Sequence, residues 1–270
     1  MSLRLPTPAQ ELAALVALAA LAFAAIPLGL GSIGLSWDAI NHHIYLGWIA
    51  EHPRFDRDYL AASGQSFQYP YLYWPVYKLF QAGVAGRWAG AVLDLLYLPA
   101  VPALWLLARR MVPERDLYGL AMRAAAVLLA FLSGLVLSMF DSTSNDLYAA
   151  IPLVWAVALA LEAVPLPADG HGPASLRLLV ASGLFAGIAV AFKLSNGPLS
   201  LVLPLLWLRG EARQGRRLGQ LLLAGIATLA GVALGYGRWG WLLWQHYGNP
   251  VYPFYDPLFA PLRAALGWHP

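Results

Sequence analysis

Apolar residues run in long blocks along this chain, and short polar stretches separate them. A helix crossing roughly 30 Å of hydrocarbon needs about 20 mostly apolar residues. Seven segments meet or approach that length: 11–33, 88–108, 119–139, 147–164, 177–194, 197–208 and 218–237. The sixth is short and opens on "SNGP", where Asn196, Gly197 and Pro198 are turn-formers, so the fifth and sixth are expected to form a tight helical hairpin. The first apolar run, Leu12 to Leu30, has no clear small-residue cleavage site before Trp37, which predicts a retained span rather than a removed signal peptide. The expected fold class is all-α: a polytopic membrane helix bundle of about seven transmembrane helices, forming one module over residues 1–270.

Composition agrees with the pattern. The chain is 60% hydrophobic and 11% charged, with a mean hydropathy of +0.60, which excludes an ordinary soluble domain and with it a soluble enzyme. The absence of cysteine excludes disulfides and thiolate metal sites, so a metal would have to be held by oxygen or imidazole. The net charge of +3 is less informative than where the charges fall. With the N-terminus cytoplasmic, Arg4 and the short inner loops carry Arg109, Arg110, Arg115, Arg123, Arg177, Arg209, Arg213, Arg216 and Arg217, as the positive-inside rule requires. Topology alone explains these arginines, so nucleic-acid binding is not expected. The inner segment "PLPADGHGPAS" (165–175) is a plain connector.

That orientation sends three polar stretches to the outer face: residues 34–75, "FDSTSND" (140–146) and the aromatic tail 238–270. From Ser36 to Ala50 the pattern suits short interfacial helices in the first outer loop, since tryptophan and tyrosine prefer the headgroup level. Asp38, Asn41, His42 and Tyr45 are spaced three and four apart and share one helical face. A carboxylate at the water boundary backed by the imidazoles of His42 and His43 can take a proton from a hydroxyl or hold a divalent cation. Equally, Ser36 can cap the helix and Asp38 can complement its dipole. Asp56 and Asp58 beside Arg54 and Arg57 read as solvated ion pairs. "SFQYPYLYWPVY" suits an amphipathic re-entry into the membrane, serving as an anchor or as a surface on which a sugar or lipid stacks.

In "FDSTSND", Asp141 and Asp146 flank hydroxyls and an amide. These groups can cap a helix through Ser144 or Asp141. If the loop folds back toward Asp38, they can also complete a hard-cation site. Asp94 lies roughly 9 Å inside the second segment at about 1.5 Å per residue, and intramembrane charges are expensive. Lys193 either neutralises Asp94 or, with Asn196, holds an anionic phosphate at the outer interface. Arg238 has the same choice between phosphate and snorkelling.

"SWDAINHHIYLGW", "GQSFQYPYLYWPVY" and "WQHYGNPVYPFYDPLF" together resemble bacterial proteins of the GT-C glycosyltransferase superfamily, integral membrane enzymes that use polyprenyl-phosphate-linked sugars. The resemblance covers nearly the whole chain as topology and three short stretches as motif. It implies a first module of seven spans, with an acid in the first outer loop as catalytic base or metal ligand and a second acid in the next outer loop. Asp38 matches the first acid and Asp141 or Asp146 the second, with Asp38 and Asp141 as ligands if a divalent cation (Mg or Mn) takes part. The sequence departs from the commoner paired pattern, since Trp37 precedes Asp38 and no second acid follows directly. Relatives usually continue into further spans, so a truncated or minimal module is expected.

The function this implies is an inverting transferase in a bacterial inner membrane with a periplasmic active face. It would move sugar from a polyprenyl-phosphate donor to a glycan, lipid or protein acceptor. Asp38 would act as base, helped by His42 and His43, with Lys193, Asn196 or Arg238 at the phosphate. The alternative is a non-catalytic membrane component: a partner-binding half of a split enzyme, or a lipid- or sugar-carrier transporter.

Overall fold

Thr7 starts the first helix with a reciprocal cap. Its hydroxyl accepts from the Gln10 N–H, the Gln10 side chain accepts from the Thr7 N–H at 2.9 Å, and Pro8 fills the first turn, where no backbone donor is needed. The helix, α1 (Pro8–Leu30), stops at Gly31, whose φ of 80° suits a residue without Cβ. The computed structural model describes residues 5–58, 61–164, 174–208 and 214–268, with the backbone alone for Asp141 and Gln214. Residues 165–173 of the inner connector, and Arg4, Arg209 and Arg213, lie outside the described residues.

Among the described residues every regular element is helical. After α1 the segment read from sequence as the first outer loop forms a π-helical turn (Ala39–His43), α2 (Ile44–Ile49), a 3₁₀ turn (Ser63–Phe67) and α3 (Trp74–Gln81). Then come α4 (Gly86–Leu95), α5 (Ala100–Met111), α6 (Leu117–Phe131), α7 (Gly134–Leu137) and α8 (Asp146–Glu162). The remainder is α9 (Leu176–Phe192), α10 (Gly197–Val202), α11 (Pro204–Trp207), α12 (Gln214–Tyr247) and α13 (Asp256–Ala265).

Three helical stretches among the described residues are long and apolar enough to cross a membrane: Pro8–Leu30, Gly86–Met111 and Gly215–Tyr247. A fourth follows if Leu117–Phe131 and Gly134–Phe140 form one broken span. The expected straight segment 119–139 is therefore corrected to two helices bent by 64°, because the Ser133 hydroxyl accepts from the Val136 N–H and starts a new helix inside the apolar run. α8 and α9 have 17 residues each, at the short end of what a span requires. The 197–208 segment is broken into α10 and α11 at Pro204, and it packs back on α9 as a hairpin through the Ser200 hydroxyl and the Ala186 carbonyl.

Glycine permits the tightest packing. A Cβ on Gly187 would lie 1.9 Å from the Thr228 carbonyl, and one on Gly231 would lie 2.2 Å from the Leu184 carbonyl, so the backbones of α9 and α12 touch directly. At one end, Phe55, Phe67, Tyr73 and Leu46 from the segment after α1 pack with Trp239, Tyr236 and Leu243 of α12, and the Trp239 indole donates to the Phe67 carbonyl at 3.0 Å. α12 runs past the expected 218–237 to Tyr247, and this extension gives the loop its docking surface. At the opposite end, the buried Arg123 guanidinium bonds Glu11 at 2.7 and 2.8 Å, and Trp105 donates to the same carboxylate at 2.9 Å.

Gly187→Ala forces one of two touching backbones to move. It should destabilise the protein by about 1–3 kcal/mol, read as a lower melting temperature in detergent, whereas Gly225→Ala, which meets no atom within 4 Å, should not.

Candidate functional site

The Ser36 hydroxyl accepts from the Ala39 N–H at 3.1 Å, which starts the turn that carries the first candidate residues. Asp38 stands at its head with 57% of its side chain exposed, and its Oδ1 lies 3.8 Å from Nδ1 of His42. Asn41 joins them, its amide 3.4 Å from the same imidazole nitrogen. Tyr45 does not, because its hydroxyl donates to the Asp58 carbonyl at 3.2 Å. Arg54 grips Asp58 through two bonds of 2.8 Å, the exposed ion pair that the sequence suggests.

His43 points the other way, into the protein. Its Nδ1 lies 2.6 Å from the Thr143 hydroxyl, and its ring stacks on Tyr73 at 4.6 Å between centroids. The buried Asn145 side chain lies beside the Tyr73 phenol. Two contacts thus join the first outer loop to "FDSTSND". Within that stretch the Ser144 hydroxyl donates to Oδ2 of Asp146 at 2.6 Å and accepts from the Asp146 N–H at 3.3 Å, in the turn that leads into α8. Lys193, at the end of α9, donates to the other carboxylate oxygen. Lys193 therefore pairs with Asp146 and not with Asp94, which is buried on α4 at 1% exposure.

The remaining candidates separate. Asn196 donates to the Ala149 and Ala189 carbonyls, both at 2.9 Å, and so fastens the α9–α10 turn to α8. Arg238 lies 5.7 Å from the centre of the Tyr71 ring, in a cavity of about 470 Å³ shared with Glu51 and Trp74. Lys193 lines a different cavity, of about 410 Å³, with Asn145, Tyr69, Phe192 and Tyr236. The Asp141 side chain lies outside the described residues. Among those described, no three His, Asp or Glu side chains converge as metal ligands. Asp38 has an imidazole neighbour alone, and the charge of Asp146 is met by Lys193, so the described donors do not fit a hard cation.

Burial lowers the affinity of both imidazoles for protons. His43 is pushed down to about 4, first by burial and then by the nearby His42, against the opposing pull of Asp38 and Asp146; Lys193 adds to the lowering. His42 is lowered by burial, with Asp38 resisting. Both rings are therefore neutral at pH 7. Burial likewise pushes the Tyr73 phenol up, which keeps it a hydrogen-bond donor.

Thr143, Asn145 and Tyr73 hold the loops together, and the sequence reading did not single them out. Their signal was present, since Thr143 and Asn145 lie inside "FDSTSND" and Tyr73 inside "QYPYLYWP". Together, fold and site define an all-helical protein with membrane-length apolar helices and two polar loops locked into one cluster. No family model, no curated protein and no solved structure matches the chain.

A histidine whose folded pKa lies below its unfolded value stabilises the fold above the unfolded value and loses that contribution as pH falls toward the folded one. For His43 the window runs from 6.5 down to about 4, a loss of about 3 kcal/mol. Melting temperature should fall across this range. His43→Gln should remove most of the slope and leave the smaller part that His42 carries.

Proposed function

We propose that the protein is a membrane glycosyltransferase of the GT-C kind, moving a sugar from a polyprenyl-phosphate donor to a glycan, lipid or protein hydroxyl. On this reading the shorter and broken helices complete seven spans, and the joined loops face the periplasm of a bacterial inner membrane. One observation carries the reading. The His43–Thr143 bond and the Tyr73–Asn145 contact tie the turn bearing Asp38 to the loop bearing Asp146, whose carboxylate meets Lys193 of α9 beside an aromatic-lined cavity.

The chemistry follows from exposure and charge. Asp38 takes the proton of the acceptor hydroxyl, whose oxygen forms a bond to the anomeric carbon while the bond from that carbon to the phosphate oxygen breaks. Attack opposite the leaving phosphate inverts the configuration. The Lys193 ammonium has three donors, so its bond to Asp146 leaves hydrogens for the departing phosphate. Tyr69, Phe192 and Tyr236 offer an apolar wall for the isoprenoid.

The pairing of Lys193 with Asp146 favours a second reading, because it lowers the positive charge offered to a phosphate. A non-catalytic component, either half of a split enzyme or a carrier transporter, would use the aromatic surface around Tyr69, Tyr71 and Trp74 for binding and would tolerate a neutral residue at 38.

Asp38→Asn should abolish the glycan difference between cells carrying the native gene and cells lacking it, with protein level unchanged. Undiminished product would sink the transferase reading. Loss of function on replacing Tyr69, Tyr71 and Trp74, with Asp38→Asn silent, would establish the second.

A further inference from the structure

At the end of the molecule away from the joined loops, the start of α1, the end of α5, the start of α6 and the end of α8 surround a cavity of about 650 Å³. Four arginines line it, against three acids: Glu11, Asp116 and Glu162. The acids are already engaged. Glu11 is held by Arg123 and Trp105 at the buried floor, Glu162 pairs with Arg109 at 3.1 Å, and Asp116 accepts from the Gly119 N–H at 2.7 Å as the cap of α6. Arg110 donates to the Val164 carbonyl, and Arg115 makes no hydrogen bond or ion pair among the described residues. Neither guanidinium meets a described carboxylate.

We infer that this cavity binds the phosphate of an anionic phospholipid from the surrounding leaflet, with Arg110 and Arg115 as its ligands. The positive-inside rule explains why arginines lie at this end, but not why two that pair with no described carboxylate line one cavity between helix ends. A phosphodiester supplies the missing charge and suits the planar, forked donors of arginine. The walls distinguish a lipid from free phosphate. Leu5, Pro8, Leu120 and Val164 offer apolar surface for a glycerol backbone, and beyond the cavity α1 exposes Leu18 and Leu21, along which acyl chains can lie. The inference needs the membrane reading and is independent of the proposed transferase activity.

The test uses the full chain in neutral detergent with three probes: phosphatidylglycerol, phosphatidylcholine and inorganic phosphate. Phosphatidylglycerol should raise the melting temperature of the native protein and remain bound in native mass spectra. Its apparent affinity should fall about tenfold in Arg110→Gln/Arg115→Gln, the loss expected for about 1.4 kcal/mol of charge-assisted bonding. Arg115→Gln, which breaks no described contact, should fold as the native protein does and lose part of the response. Asp38→Asn should keep all of it, which separates this site from the proposed chemistry. An equal response to phosphatidylglycerol in the native and doubly substituted proteins would overturn the inference, as would equal protection by phosphatidylcholine. Protection by inorganic phosphate without phosphatidylglycerol would replace the lipid with a soluble anion.

Discussion

A backbone surrounded by hydrocarbon has no water to bond, so each buried N–H and carbonyl must be satisfied inside the chain. Helices meet that demand in any apolar surrounding, and the long apolar helices of this chain are compatible with a membrane. Within the bundle, the Ser182 hydroxyl donates to the Ala156 carbonyl at 2.6 Å and accepts from the Trp207 indole at 3.0 Å. The remaining polarity is driven to the helix ends. One end is ionic, built on Glu11, Arg123 and their neighbours, and the other is aromatic and hydrogen-bonded, built on His43, Tyr73 and Trp239.

The aromatic end achieves order without long regular structure. The first outer loop is fixed by stacking and edge contacts among Phe55, Phe67, Trp239, Tyr247 and Tyr252, each worth about 0.5–1.5 kcal/mol beyond area burial. Trp239 belongs to α12 and also donates to the Phe67 carbonyl, so the loop is tied to the helix whose other half touches α9 through glycine. Lys193 ends α9 and Asp146 begins α8, which places their ion pair beside the same loop. The cluster at His43 is therefore a consequence of helix packing as well as of local sequence.

The helical class and the polar loops were legible because hydropathy and aromatic content report solvent directly. The break at Ser133 was not, since a single hydroxyl that caps α7 barely changes the mean hydropathy of segment 119–139. Site residues divide in the same way. Asp38 beside His42 follows from spacing within one turn. The Lys193–Asp146 pair joins residues 47 apart, and the sequence pointed instead to Asp94 or to a phosphate as the partner of Lys193. Asn196 has the composition of a ligand but donates its hydrogens to two backbone carbonyls, a use that only the return of α10 onto α9 creates.

The Lys193–Asp146 pair also sets a condition on any phosphate at that cavity. An incoming anion competes with a carboxylate for the same ammonium, and two negative groups then face each other. Ser144 eases that conflict: its hydroxyl holds Oδ2 of Asp146 at 2.6 Å, on the oxygen that Lys193 does not use. The carboxylate keeps this hydrogen bond when the flexible lysine stem turns toward the cavity, so Lys193 can exchange partners without leaving Asp146 unsolvated. Half exposed, the pair is also inexpensive to open, since exposed ion pairs contribute about 0–1 kcal/mol. A deeply buried lysine would bind phosphate harder and release it slowly. A lysine shared at the rim suits a ligand that arrives and departs with each turnover.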